Sequence, residues 1–483
     1  MRRITAILYY DWLQMIRSAS FVFISGLLLC IGIYALYYGH AQVRDQQENI
    51  ARVKQAIDST VRGFYHTVSR GDTTALEAYS ESGTLFANYP RPLAALSFGQ
   101  RDVDRFALNL ATYSFFYDKY STGYKNKTLS NEIVNPMRLL AGNLDLSFVL
   151  IFLMPLYLIL LSYNIISGEK EAGTLDLLGI QTIRLNGYIL TRLLFRLGLM
   201  VVIGGALIVA GAFAAHSDAV STLYFSGVYI GYSTCWAGIV LLFCRSRYSG
   251  TNALTLITAW LMLCFVLPAL YNALLNAQHP IHAKTRISNA VQRSESDVYP
   301  LPNRVKLDSF LTLYPRYRTT PMDSITGYND ARWWACTYGI IDHDLEPIEE
   351  EYQSARSRRI RAANRWNYGS PALLAQYAFN QLAASNAEQL QDFDTLAYRG
   401  FCKRMEYFDS LFFLGHNQFT LAQFKDIPLE YEYHAIVPNE TFTGPALLML
   451  AAGVLLLAAG YRLVGSTAAG PKNQPIVPTL LTQ

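Results

Sequence analysis

The sequence predicts an all-α polytopic membrane protein, with six transmembrane helices and two mainly helical extracytoplasmic domains. Three observations point there. Of 483 residues, 52% are hydrophobic and only 16% charged, too apolar for an ordinary soluble chain and too polar for a bare membrane bundle. Six windows reach the roughly 20 apolar residues that a helix needs to cross a hydrocarbon core, and none contains Asp, Glu or His. Long polar stretches separate the first window from the second and the fifth from the sixth.

Residues 1–20 come first. In "MRRITAILYYDWLQMIRSAS", Ile4, Ile7, Leu8, Trp12, Met15 and Ile16 share one helical face, with Asp11 and Gln14 off it and arginines at both ends. This predicts a cytosolic helix lying along the membrane interface, with a plain extension of the first span as the alternative. The spans are expected at Phe21–Gly39, Leu146–Ile166, Leu193–Ala215, Thr222–Cys244, Gly250–Leu274 and Pro445–Leu463. A cleavable signal peptide competes for the first window, since Gly39 and Ala41 suit a cleavage site, but the apolar run exceeds the usual stretch of about 7 to 15 residues. Arg192 and Arg196, at the soft start of the third window, must snorkel or pair.

Positive charge sets the orientation. Arg2, Arg3, Arg17, Lys170, Arg184, Arg245, Arg247 and Lys472 fall on one side, while the short opposite loop "HSDAVS" carries none. Both termini are therefore expected in the cytosol. That leaves residues 41–145 and 275–442 as the two extracytoplasmic domains, 146–274 as a block of four spans with a cytosolic segment at 167–187, 445–463 as the last span, and 464–483 as a cytosolic tail.

In the first domain, Ile50, Val53, Ile57 and Val61 form a stripe along a polar helical run, and "NYPRPLAALSFGQRDVDRF" is a proline-broken turn. In the second, Ser370 and Pro371 mark a helix start at the N-cap and first helical position. "EEEYQSARSRRIRAANR" reads as a solvated helix surface, and few runs alternate like strands. Cys336 and Cys402 are the two cysteines outside the spans, a candidate disulfide in an oxidising compartment. The aromatic runs "TYSFFYDKYSTGY" and "ARWWACTYG" read as domain core rather than as a ligand surface.

Catalytic motifs are missing. No histidine opens an His-Glu-x-x-His pair, no G-x-S-x-G elbow occurs, and "GSTAAGPKN" lacks the Gly-Lys-Ser/Thr ending of a phosphate loop. Asp342, His343, Asp344 and Glu346 are metal-ligating types, but adjacent residues diverge on a helix, so a solvated acidic surface is the better reading. Asn126 and Asn439 head sequons that matter only in a glycosylating host. No acid or histidine sits within a span as an ion-coupled transporter would need. Energy must come from a separate polypeptide.

The stretch "IISGEKEAGTLDLLG" is the informative one. Glu169 and Glu171 lie two apart and diverge on a helix, a poor acid/base pair. They read instead as the charged exit of the second span. Gly173 loosens the backbone, and Thr174 caps a short helix whose Leu175, Leu177, Leu178 and Ile180 are more apolar than a loop needs. Such a helix suits a partner's groove.

Here "GEKEAGTLDLLGIQTIRLNGYILTRLLFRLG" resembles the E-[KR]-E-x-G-T-L-[ED]-L-L signature of permease subunits of type 2 ATP-binding-cassette exporters. The resemblance implies six spans, a pair of permease subunits, identical or related, and docking on cytosolic ATPase subunits through helices of this loop. Glu169, Glu171, Gly173 and Thr174 would form the turn at the cytosolic end of the second span, and Leu175, Leu177 and Leu178 the surface or support that meets the ATPase. ATP and magnesium would sit on that partner, so this chain is expected to be no enzyme and to hold no catalytic, cofactor-binding or metal site. The large insertions, with "RPLAALSFGQRDVD" and "SPALLAQYAFNQLAASNAEQLQDF", resemble a bacterial branch, which places the chain in the inner membrane. No nucleic-acid partner is expected. Two other readings stay open: a non-transporting subunit that relays ATPase motion to the outer domains, and a membrane-anchored enzyme. For the relay, the discriminating feature is whether Ser162, Asn164, Thr255 and Thr258 line a polar route.

Overall fold

The computed structural model describes residues 2–71, 73–102, 107–109, 144–175, 185–280, 283–318, 325–414, 419–427, 430–435 and 440–468. A short helix, α1 (Arg2–Ile16), precedes the spans. Each of the six apolar windows is a helix long enough to cross a membrane: α2 (Ala19–Ser69), α3 (Leu146–Glu171), α4 (Leu185–Ala214), α5 (Ala219–Phe243), α6 (Ser249–Gln278) and the segment Thr443–Val464 of the last helix. Between the fifth and sixth spans come α7 (Ala331–Trp366), α8 (Pro371–Leu382) and α9 (Ala387–Leu414). The last helix is α10 (Glu440–Ala468).

α2 does not stop where the apolar window ends. Its 51 residues run about 76 Å, more than twice the hydrocarbon thickness. Continuity follows from packing: Gln46, Ile50, Val53, Ile57, Val61, Phe64 and Val68 keep one face buried after the membrane-length segment ends. The expected stripe is therefore real, and it belongs to the same rod as the first span. Gly39 sits where this rod passes a turn at Pro92–Ala95; a Cβ there would lie 1.9 Å from the Ala95 carbonyl oxygen.

The two insertions, expected as separate domains, share one head. Strand β1 (Leu85–Asn88) from the first pairs antiparallel with β2 (Ala107–Asn109) and parallel with β3 (Glu430–Tyr433) from the second. Phe86 stacks on Tyr431 at 4.7 Å. Arg404 of α9 donates to the Tyr79 and Ser82 carbonyls and to Thr84 Oγ1, closing the end of the helix Ala75–Glu81. The apolar stripe of α2 enters the same core as Phe310, Trp333 and Phe408. Backbone pairing between segments some 340 residues apart could not be read from local alternation.

α8 packs on the bundle itself. Ala372, Leu374, Ala375, Ala378, Phe379 and Leu382 join the cluster built by the spans, and Phe379 stacks on Phe225 of α5 at 4.2 Å. Ser370 is its N-cap and Pro371 its first residue, as expected, yet the Ser370 hydroxyl caps nothing in its own helix. It donates to the Leu263 carbonyl at 3.1 Å, in a π-helical turn of α6 (Met262–Val266). A second π-helical turn, Val149–Leu153 of α3, offers the Ile151 carbonyl to Tyr232 at 2.7 Å and the Phe152 carbonyl to Trp260 at 3.0 Å. Widened turns free carbonyls from the regular ladder, and neighbouring elements take them. The turn after Arg91 closes beside α8, with Ser97 Oγ donating to Asn380 Oδ1 at 2.8 Å.

Cys336 and Cys402 are free thiols. Cys336 is sealed in the head core, which pushes its thiol upward, while Cys402 packs against the neighbouring cluster with Tyr398 and Phe401. The expected bridge is absent because the two side chains serve different cores. Among the described residues no group of three or more His, Cys, Asp or Glu could hold a metal. Asp344 accepts from Ser294, and His343 lies 3.5 Å from Glu346 on the exposed face of α7. "ARWWACTYG" is core: Trp333 is buried under the Lys306 ammonium, 4.2 Å above its ring.

Candidate functional site: the charged exit of the second span

The end of α3 is held by a Schellman turn. The Gly173 N–H reaches the Lys170 carbonyl at 3.2 Å, and the Thr174 N–H reaches the Glu169 carbonyl at 3.0 Å. This pattern needs a left-handed residue between helix and exit, and Gly173 has φ +69°. Gly173 therefore stops the helix rather than loosening it. Gly173→Ala would force an L side chain into that region at about 1 kcal/mol. Hydrogen exchange at the Thr174 amide is then expected to speed up roughly fivefold.

Glu169 and Glu171 diverge, as their spacing requires, and each is fully engaged. Glu169 Oε1 accepts from Arg192 Nη1 at 3.1 Å, and its Oε2 from the Thr174 hydroxyl at 2.5 Å. Thr174 thus closes the helix before it, while the helix it was expected to cap runs into residues outside the described ones. Glu171 crosses to α6. Its two oxygens accept from the Ser249 N–H at 2.6 Å and the Ser249 hydroxyl at 2.8 Å. Tyr248 provides no side-chain cap there, so Glu171 caps α6 from another helix, where a carboxylate complements the exposed N–H groups and the helix dipole. Lys170 Nζ donates to the Arg245 carbonyl at 3.3 Å.

Beneath Glu169 lies a buried ion cluster. Asp11, 4% exposed, accepts from Arg192 Nε at 2.9 Å and from Arg196 Nη2 at 3.2 Å. Arg192 also reaches Tyr188 Oη at 3.3 Å, and Arg196 donates to the Leu161 carbonyl of α3. Two arginines thus meet two carboxylates, and α1, α3 and α4 are joined in one network. The arginines of the third span pair rather than snorkel. Asp11, expected off the buried face of α1, lies on it, because the attraction of two guanidiniums outweighs the apolar stripe. Trp12 is 38% and Ile16 43% exposed instead, with Trp12 edge-on to Phe21 and Phe195. The sequence signal was present: a lone acid on an amphipathic helix and two arginines at i and i+4 on a span.

Neither glutamate is free for chemistry, since both oxygens of each accept hydrogen bonds that fix its orientation. The site is structural: Glu169 ties the exit turn to α4, and through Arg192 to α1, while Glu171 ties it to α6. Leu175 is partly buried at the start of that segment. Leu177, Leu178 and Ile180 lie outside the described residues, as do Arg184, "GSTAAGPKN" beyond Ala468, Asn126, Asn439 and "TYSFFYDKYSTGY". Ser162 is buried, its hydroxyl unpartnered. Thr255 bonds its own helix at the Thr251 carbonyl, whereas Asn164 and Thr258 are exposed. These four do not form a shared polar route within the chain.

Six membrane-length helices, a tethered head and a charged, capped exit from the second span define a multi-pass α-helical membrane protein. A family model described as ABC-2 family transporter protein matches residues 5–463. The chain belongs to that family, and so is a permease subunit of an ATP-binding-cassette transporter. A comparison with curated proteins finds no match.

Proposed function

We propose that this chain is the permease subunit of an exporter in the bacterial inner membrane, with both termini cytosolic, and that residues 167–187 couple it to a cytosolic ATPase. The observation that carries the reading is the double anchoring of the exit turn, Glu169 on Arg192 and Glu171 on Ser249. Leu175, Leu177 and Leu178 would meet the ATPase, and Gly173 and Thr174 would fix the angle at which they are presented. ATP and magnesium belong to that partner, and a second permease subunit completes the assembly. Replacing Leu177 and Leu178 with Asp is expected to abolish co-purification with the ATPase while membrane insertion is unchanged. An undiminished pull-down would refute the docking assignment.

One observation favours a second reading, in which the subunit relays motion to the head without carrying a solute. α2 is a single rod from the bundle into the head core, and α8 seals against the spans at the head end. A relay would keep ATPase turnover sensitive to head substitutions without solute accumulating in vesicles; a solute carrier would show both.

A further inference from the structure

The last turns of α7 pack against the end of α6. Arg359 Nη2 donates to Asn276 Oδ1 at 2.6 Å, near the end of α6. Trp366 packs on Tyr271 with ring centroids 5.7 Å apart. Leu270 and Leu274, beside Tyr271, are 50% and 39% exposed, as lipid-facing residues are. About 20 residues from the start of α6 bring the chain to this level, where Trp and Tyr mark the headgroup interface. Tyr368, 53% exposed, lies just beyond.

Arg358, Arg361 and Arg365 lie on this part of α7, within about 60° of one another around the helix. All three are exposed. Neighbouring Arg356 is neutralised by Asp394 at 2.6 Å, whereas these three have no ion pair or side-chain hydrogen bond among the described residues. A solvated stripe of arginine would ordinarily need no partner. This one lies on a helix pinned by two contacts to the end of α6.

We propose that Arg358, Arg361 and Arg365 form a binding surface for the phosphate headgroups of anionic lipids, held at the boundary by the Arg359–Asn276 and Trp366–Tyr271 contacts. Guanidinium forks bind phosphate in a bidentate manner, and charge complementarity with continuity to the lipid-exposed leucines selects the membrane as occupant. The surface does not depend on the transported compound or on the ATPase.

The test uses the full chain in phosphatidylcholine nanodiscs with and without phosphatidylglycerol, counting retained phosphatidylglycerol by native mass spectrometry. Substituting R358Q, R361Q and R365Q together is expected to weaken retention roughly 100-fold, about fivefold per arginine. The Arg→Lys triple, which keeps the charge but loses the fork, should fall between the Gln triple and the wild type. Arg62→Gln, about 35 Å further along α2 than Gly39, should match the wild type. Should the triple fail to fold, Arg361→Gln alone carries the test with its fivefold loss. Equal retention by a folded Gln variant and the wild type would overturn the proposal. So would displacement of the lipid by excess inorganic phosphate, which would make the site a pocket for free anions.

Discussion

Asp11→Ala is expected to lower stability by about 3–5 kcal/mol, because it leaves two arginines buried without a counter-charge. Asp11 accepts from Arg192 and Arg196, and both guanidiniums are under 10% exposed. The remaining carboxylate, Glu169, reaches Arg192 alone. The melting midpoint of the detergent-solubilised protein should drop by several degrees, and α1 should become accessible to protease. Replacing Asp11, Arg192 and Arg196 together by Leu, Met and Met should recover most of that loss, since well-packed apolar residues commonly match a buried ion cluster. The recovered variant would still lack the link from Glu169 to α4. A normal melt for Asp11→Ala would show that the cluster does not carry this energy.

The spans were legible because crossing a bilayer imposes a length and a polarity on contiguous residues. The α2 stripe and the start of α8 were legible for a similar reason, since a helical period and a Ser-Pro start are local. What stayed hidden depends on residues far apart in the chain. The burial of Asp11 is decided by Arg192, and the strand role of Leu85–Asn88 by Glu430–Tyr433. The seat of α8 on the bundle is decided by Phe225. At the exit turn, spacing alone established that Glu169 and Glu171 diverge. Only the fold reveals that the divergence is useful, because it fastens one turn to two different spans.

Asp409 gives the head a pH dependence that can be isolated by one substitution. Its carboxyl lies on α9 beside Phe408, Phe412 and Phe413, and its Oδ1 is buried without a partner. Burial raises its pKa to about 7, with Arg316 pulling down and Glu406 pushing up. Arg316 is engaged with Glu406 at 3.2 Å. The nearby Tyr314 and Tyr317 hydroxyls are themselves pushed up to about 12 by burial, so Asp409 is the group of this cluster that titrates near neutrality. An unfolded aspartate loses its proton near pH 4, while the folded one keeps it to about 7. Between those values the native state binds more protons than the unfolded state, so stability falls as pH rises and the loss is complete above about 7. Three units correspond to an effect on the order of 4 kcal/mol. Asp409→Asn keeps the shape and removes the charge. Relative to wild type, the variant should gain stability from pH 5 to about pH 7 and level off by pH 8, measured as the difference between their melting midpoints. A constant difference across that range would place the ionised carboxylate in a more accommodating site than its burial among these phenylalanines indicates.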